Sequence, residues 1–273
     1  MSSILKVDTI QDASGNAIIS SDGSGNLTPN TFTGLTISGN LSVDGGTIKL
    51  DGNLDANGNV QLGNATLDAI TSGINNIGIG DSSGTAVTSG SNNTFVGDRS
   101  GEANTTGAEN TVLGSFALAS NVSGGQNTAI GRSALANNTA SQNTAVGYQA
   151  LEDNTTGAAL ASLGYLALNA NTTGNFNTAV GNNSLKTNTT GSHNTALGHE
   201  SLEANTGSNN TAVGSKALEL NTASNNTAVG YQSLNANTSG TLNTAVGYSA
   251  GLQTTTGGKN AFFGNSAGQN NTT

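Results

Sequence analysis

The side chains suited to chemistry are few in this sequence. His193 and His199 are its only histidines, and Glu200 and Glu203 follow the second. A histidine beside a carboxylate is the raw material of acid–base catalysis or of a metal site. Here both histidines fall near the junction of two copies of a repeat, and no carboxylate recurs with them at a metal-like spacing, so a solvated turn is the expected setting. Glu152 with Asp153, and Glu200 with Glu203, read as surface charges, and no pair of acids stands out for glycoside hydrolysis. Cysteine is absent, which removes thiol nucleophiles, disulfides and Cys-containing zinc sites. The expectation is a chain that is not an enzyme, with no catalytic residue, no metal and no cofactor.

The four tyrosines have a different pattern. Tyr148 and Tyr165 each follow a glycine in adjacent copies of the repeat, and so do Tyr231 and Tyr248. If the copies stack, each pair of rings stacks too, making an aromatic ridge able to hold a glycan through CH–π contact with a sugar ring. The ordinary role of such amphipathic rings is to cover a bend or to pack against a neighbouring chain, and both readings stand at this level.

Positioning these residues falls to the repeat. Glycines at 63, 80, 97, 114, 131, 147, 164, 181, 198, 214, 230, 247 and 264 recur in steps of 17 residues, three of them 16, within the consensus N-T-A-V-G-x-x-A/S-L-x-x-N-T-T-G. The residue before each glycine is large and apolar, from Leu62 to Phe263. Four places after it stands Leu, as in Leu118 and Leu151, replaced by Gly84, Gly101, Gly251 and Gly268. Such a unit is too short for a helical hairpin, and its Gly, Asn and Thr disfavour helix. Thr-Ala-Val before a glycine suits a short strand ending in a bend, and N-T-T-G suits a turn. Each copy therefore reads as one coil of an all-β parallel solenoid, with coils about 4.8 Å apart and a rod of roughly 60 Å. Both apolar positions are expected to form core columns. Asn and Thr are expected to form polar ladders, interrupted where Leu160 replaces the opening Asn.

Composition limits the rest. Only 8% of residues are charged, against roughly 25% in ordinary domains. The net charge is −9 and the seven basic residues are scattered, so no surface for nucleic acid is expected. No apolar stretch approaches the ~18 residues of a membrane span, and no secretory signal pattern opens the chain, so neither membrane insertion nor export is expected. Calcium-binding solenoids repeat an Asp that this consensus lacks, and the N-T-T strings are read as turn and ladder residues rather than glycosylation sites. Two aliphatic side chains per coil bury little against the cost of ordering the chain, which points to packing between chains.

Residues 1–58 lack the period. Ile4–Ile10 and residues 31–53 alternate apolar and polar residues between G-N, D-G and G-G turns, which reads as an irregular β-rich segment, with a joint at residues 20–30 around Pro29. The expected domains are thus 1–58 and 59–273.

Asn143–Leu151, NTAVGYQAL, resembles the head repeats of trimeric autotransporter adhesins of the YadA-head type. The resemblance covers residues 59–273 and includes the small residue three places after the glycine, as at Ala117 and Ser184. It implies a left-handed β-roll and a homotrimer. The coils here are longer, and neither the export signal nor the C-terminal outer-membrane anchor of those adhesins is seen. ILKVDTIQDASGN at 4–16, with residues 31–53 and the repeats, looks like virion-associated fibre proteins of tailed phages of marine and cyanobacterial hosts. That similarity implies assembly in the host cytoplasm, attachment to other virion proteins through the N-terminal segment, and a shaft exposed on the particle for host-surface adhesion. A bacterial cell-surface adhesin head is the alternative. An ice-binding solenoid is the third reading, from Thr recurring at Thr105, Thr139 and Thr155, although no T-x-T marks one face. The last copy stops without a capping element, so either the end tolerates exposure or the chain belongs to a longer fibre.

Overall fold

The computed structural model describes residues 9–11, 17–21, 27–29 and 57–272, and the chain divides into two units, Met1–Lys49 and Leu50–Thr273. In the first, β1 (Thr9–Gln11), β2 (Ala17–Ser21) and β3 (Leu27–Pro29) form an antiparallel sheet in the order β1-β2-β3. The stretch expected as a joint thus gives Ser20 and Ser21 to one strand and Leu27–Pro29 to its partner. The alternating elements expected over 31–53 lie outside the described residues, as does Ile4–Asp8.

The second unit is a parallel β-solenoid. Thirteen three-residue strands, from β4 (Val60–Leu62) to β16 (Ala261–Phe263), pair in strict chain order. Register repeats coil by coil: Thr144, Ala145 and Val146 face Ala161, Ser162 and Leu163, and these face Thr178, Ala179 and Val180. Pairing extends beyond the strands. In one coil the amides of Thr178, Leu185 and Thr187 donate to carbonyls of the following coil, while those of Gly181, Asn183 and His193 donate to the preceding one. Backbone hydrogen bonds therefore run along the axis, which is how a thin rod satisfies its polar backbone.

The interior corrects one expectation. Of each Thr-Ala-Val strand only the middle residue is buried: Ala129, Ala145, Ala179, Ala196, Ala212 and Ala228 are all at 0% exposure. Side chains alternate across a strand, so Thr and the apolar residue before the glycine face outward. Leu62, Leu113, Leu163 and Leu197 are each about half exposed. The Leu four places after the glycine is the true core column, and Leu118, Leu135, Leu151, Leu168, Leu185, Leu202, Leu218 and Leu234 are fully buried. With Leu projecting from the opposite wall, a small side chain fits beneath it: Ala in most coils, Ser162 in one, and Val112 where the preceding coil carries Gly101. The small residue three places after the glycine is buried as well, and Ser184 and Ser201 donate to the carbonyls of Gly181 and Gly198.

Two coil variants show how tightly this interior is matched. Where Phe95 replaces the strand Ala, the Leu positions on either side are Gly84 and Gly101. A Cβ at Gly84 would lie 2.8 Å from the Phe95 ring, and one at Gly101 would meet it too. Phe262 stands in the same relation to Gly251 and Gly268. The four glycines that break the Leu column are therefore made room for two phenylalanines.

Polar ladders fill the remainder. From Asn59 to Asn143 the side-chain Oδ1 of each opening Asn accepts the amide of its counterpart one coil on. Asn143 still accepts from the Leu160 amide, and the side-chain chain resumes with Asn177 accepting from Asn194. The interruption at Leu160 is where the sequence places it. A second ladder links the Nδ2 of Asn121, Asn154, Asn171, Asn188, Asn205, Asn221 and Asn237 to the Oδ1 one coil before. The three 16-residue coils shorten the turn between the ladders. In each of them the two join directly: Asn143 to Asn138 at 3.0 Å, Asn210 to Asn205 at 3.1 Å and Asn226 to Asn221 at 3.2 Å.

The consensus glycine makes the bend. Gly198 has φ +140°, and a Cβ there would lie 2.6 Å from the carbonyl carbon and oxygen of Gly214 in the next coil. Gly198→Ala combines backbone strain with a clash against immovable backbone, and a loss of about 3 kcal/mol or more in denaturant unfolding is expected.

Candidate functional site: an aromatic and cationic ladder

Immediately past the bend, the residue after each glycine points outward, and stacking superimposes these positions. Tyr148 and Tyr165 stack with ring centroids 5.5 Å apart and an interplanar angle of 11°. Tyr231 and Tyr248 stack at 5.4 Å and 22°. All four rings are exposed, from 39% for Tyr148 to 55% for Tyr248. The coil before Tyr148 carries Arg132 in the same column. Its guanidinium lies 5.8 Å from the Tyr148 ring centre, and Nη1 donates to the tyrosine hydroxyl at 3.4 Å.

The neighbouring column, two places after the glycine, continues the ladder. Arg99 lies over the Phe116 ring at 5.6 Å, and the next coil places Ser133 there. A groove of about 370 Å³ opens at this point, lined by Phe116, Ser120, Arg132, Ser133, Asn137 and Glu152 from three successive coils. Among the described residues neither arginine joins the ion pairs, which involve His199, Glu200, Lys216 and Glu219. The tyrosine ridges follow from repeat spacing. The arginines and Phe116 were missed because they occupy variable positions, and only stacking shows that these positions form columns.

Stacking also brings Glu219 of the next coil to the Glu200–Glu203 pair. Glu200, Glu203 and Glu219 offer carboxylate oxygens within 4.8 Å of one another. Lys216 sits among them, 2.8 Å from Glu200 and 3.2 Å from Glu219. Hydrogen bonding from Lys216, aided by His199 and Lys186, holds the Glu200 carboxyl below the usual carboxylate range, and bonds to Glu200 and Glu219 hold Lys216 above its usual range. The histidines are not brought together: His199 lies 3.5 Å from Glu200, while His193 stacks on Phe176 at 5.0 Å.

A lowered carboxyl stabilises the fold above its unfolded value and loses that effect as pH falls through the folded value. A raised ammonium stabilises below its unfolded value and loses the effect only as pH rises through the folded one. Lys216→Met is therefore expected to lower the thermal midpoint at neutral pH, and the gap from the native protein should close as pH falls through the lowered folded value of the Glu200 carboxyl. A gap independent of pH would show that Lys216 acts through packing alone.

The chain thus belongs, by fold, to the parallel β-solenoids, an architecture suited to fibrous and adhesive roles. Compared with protein-family models, with curated proteins and with solved structures, it matches none.

Proposed function

We propose that the protein is a structural virion fibre: a left-handed β-solenoid shaft, associated as a homotrimer, attached to other virion proteins by its N-terminal segment and adhering to host-surface glycan along its side. The observation that carries this reading is the column of apolar residues outside the rod, from Leu62 through Leu113 and Leu163 to Val246 and Phe263. A continuous exposed apolar stripe marks an interaction surface, and identical chains set side by side present it at matching heights. The assignment to a phage particle, assembled in the host cytoplasm, is supported by the sequence resemblance of the N-terminal segment and repeats. The protein acts through shape and surface rather than catalysis, with Tyr148, Tyr165, Tyr231 and Tyr248 as the glycan-contact ridges. An antibody against the solenoid should decorate appendages of purified virions in electron micrographs. Finding the chain only on the bacterial envelope would instead favour the cell-surface adhesin.

One observation favours ice binding as a second reading. The outward face of the sheet sets Thr111, Thr128 and Thr144 beside Leu113, Ile130 and Val146 in a regular array. Absence of thermal hysteresis in the purified protein would remove it. The other Thr column is committed elsewhere, since Thr105, Thr139, Thr155 and Thr172 donate their hydroxyls to carbonyls of the next coil.

A further inference from the structure

We infer that the groove bounded by Phe116, Arg132 and Glu152 is a subsite for an acidic pyranose, a sugar ring carrying a carboxylate, with Arg132 as the anion anchor. The inference rests on the glycan-adhesive reading and narrows it to a charge class.

Three features converge. Arg99 occupies one side of the Phe116 ring, and in the following coil the column position is Ser133, whose small side chain leaves space beside the ring where the groove opens. A pyranose fits such a position by laying its C–H face on an aromatic ring. Arg132 is exposed, is held by the Tyr148 hydroxyl, and has no carboxylate in an ion pair with it among the described residues. A guanidinium free of an acidic partner in a chain of net charge −9 is matched to a carboxylate, which it binds in a bidentate fork. On the opposite wall, the Glu152 carboxylate accepts from Asn169 at 3.3 Å and Asn137 donates to Asp153 at 3.3 Å. These polar groups remain within reach of ring hydroxyls. The groove also adjoins the Tyr148–Tyr165 ridge through Arg132, so an oligosaccharide bound here continues along the stacked tyrosines.

The test is calorimetric binding of the full chain to glucuronate, galacturonate and mannuronate oligosaccharides and to the carboxyl-reduced form of each. At least one acidic member should bind tenfold or more tighter than its reduced counterpart, and Arg132→Gln should erase that difference. Phe116→Ala should weaken both forms. Ser133→Phe should block the groove: the backbone accepts it, since Phe116 occupies this column with φ 58° against 57° at Ser133, and an unchanged circular dichroism spectrum checks that the variant is folded. Equal binding of acidic and reduced sugars, or indifference to Arg132→Gln and Ser133→Phe, overturns the subsite while leaving glycan adhesion standing. No binding of any sugar overturns both.

Discussion

Phe95→Ala should destabilise the solenoid by about 3–5 kcal/mol, the cost of emptying a fully buried aromatic site, and Gly101→Leu in the same chain should recover most of it. Phe95 has no solvent exposure and lies where other coils carry Ala, with glycine at the flanking Leu positions. Gly101→Leu alone should be as damaging as Phe95→Ala, because its side chain enters the volume of the ring. Together the changes recreate a consensus coil. The backbone accepts Leu at this position, since Gly101 has φ 59° and Leu118 and Leu135 stand at 51° and 54° in the coils that follow. Urea unfolding of the two single variants and the double variant gives the coupling energy directly, and additive losses would refute the compensation.

The second large effect concerns the outside. Leu113→Asp, Leu163→Asp and Leu197→Asp combined should separate the proposed trimer into single chains without unfolding them. These side chains are each about half exposed on the outer face of their strands. Burying a Leu between chains is worth up to about 1.5–3 kcal/mol, and a carboxylate there reverses the sign through desolvation and repulsion by its counterparts. Light scattering should move to the mass of one chain, 26.8 kDa, with an unchanged circular dichroism spectrum. The same three positions changed to Val should leave the assembly intact.

Much of this architecture is legible in the residues. Seventeen-residue spacing predicts the coil, the Leu column predicts part of the core, Leu160 predicts the ladder interruption, and paired tyrosines predict the stacked rings. What spacing cannot supply is the direction each apolar column faces. Val146 is larger and more apolar than Ala145, so a reading by hydrophobicity places it inside. The decision belongs to the opposite wall, where Leu135 and Leu151 leave room only for a small side chain. The same limit hides the Phe95–Gly101 exchange, which looks like two unrelated departures from consensus until they touch. It also hides the groove and the arrival of Glu219 beside the Glu200–Glu203 pair, which are neighbours only across coils. Left-handed backbone at core Leu residues such as Leu151, with φ 54°, runs against local preference. It is sustained by full burial, by the Leu151 amide donating to the Ala167 carbonyl of the next coil, and by the Leu151 carbonyl accepting from the Asn154 amide.

The claim on which the account depends is that copies of this chain cover the outward apolar column. Sedimentation equilibrium of the purified native protein at micromolar concentration tests it most directly. The expected result is a single species of three times 26.8 kDa, and a stable, soluble monomer at that concentration would contradict it.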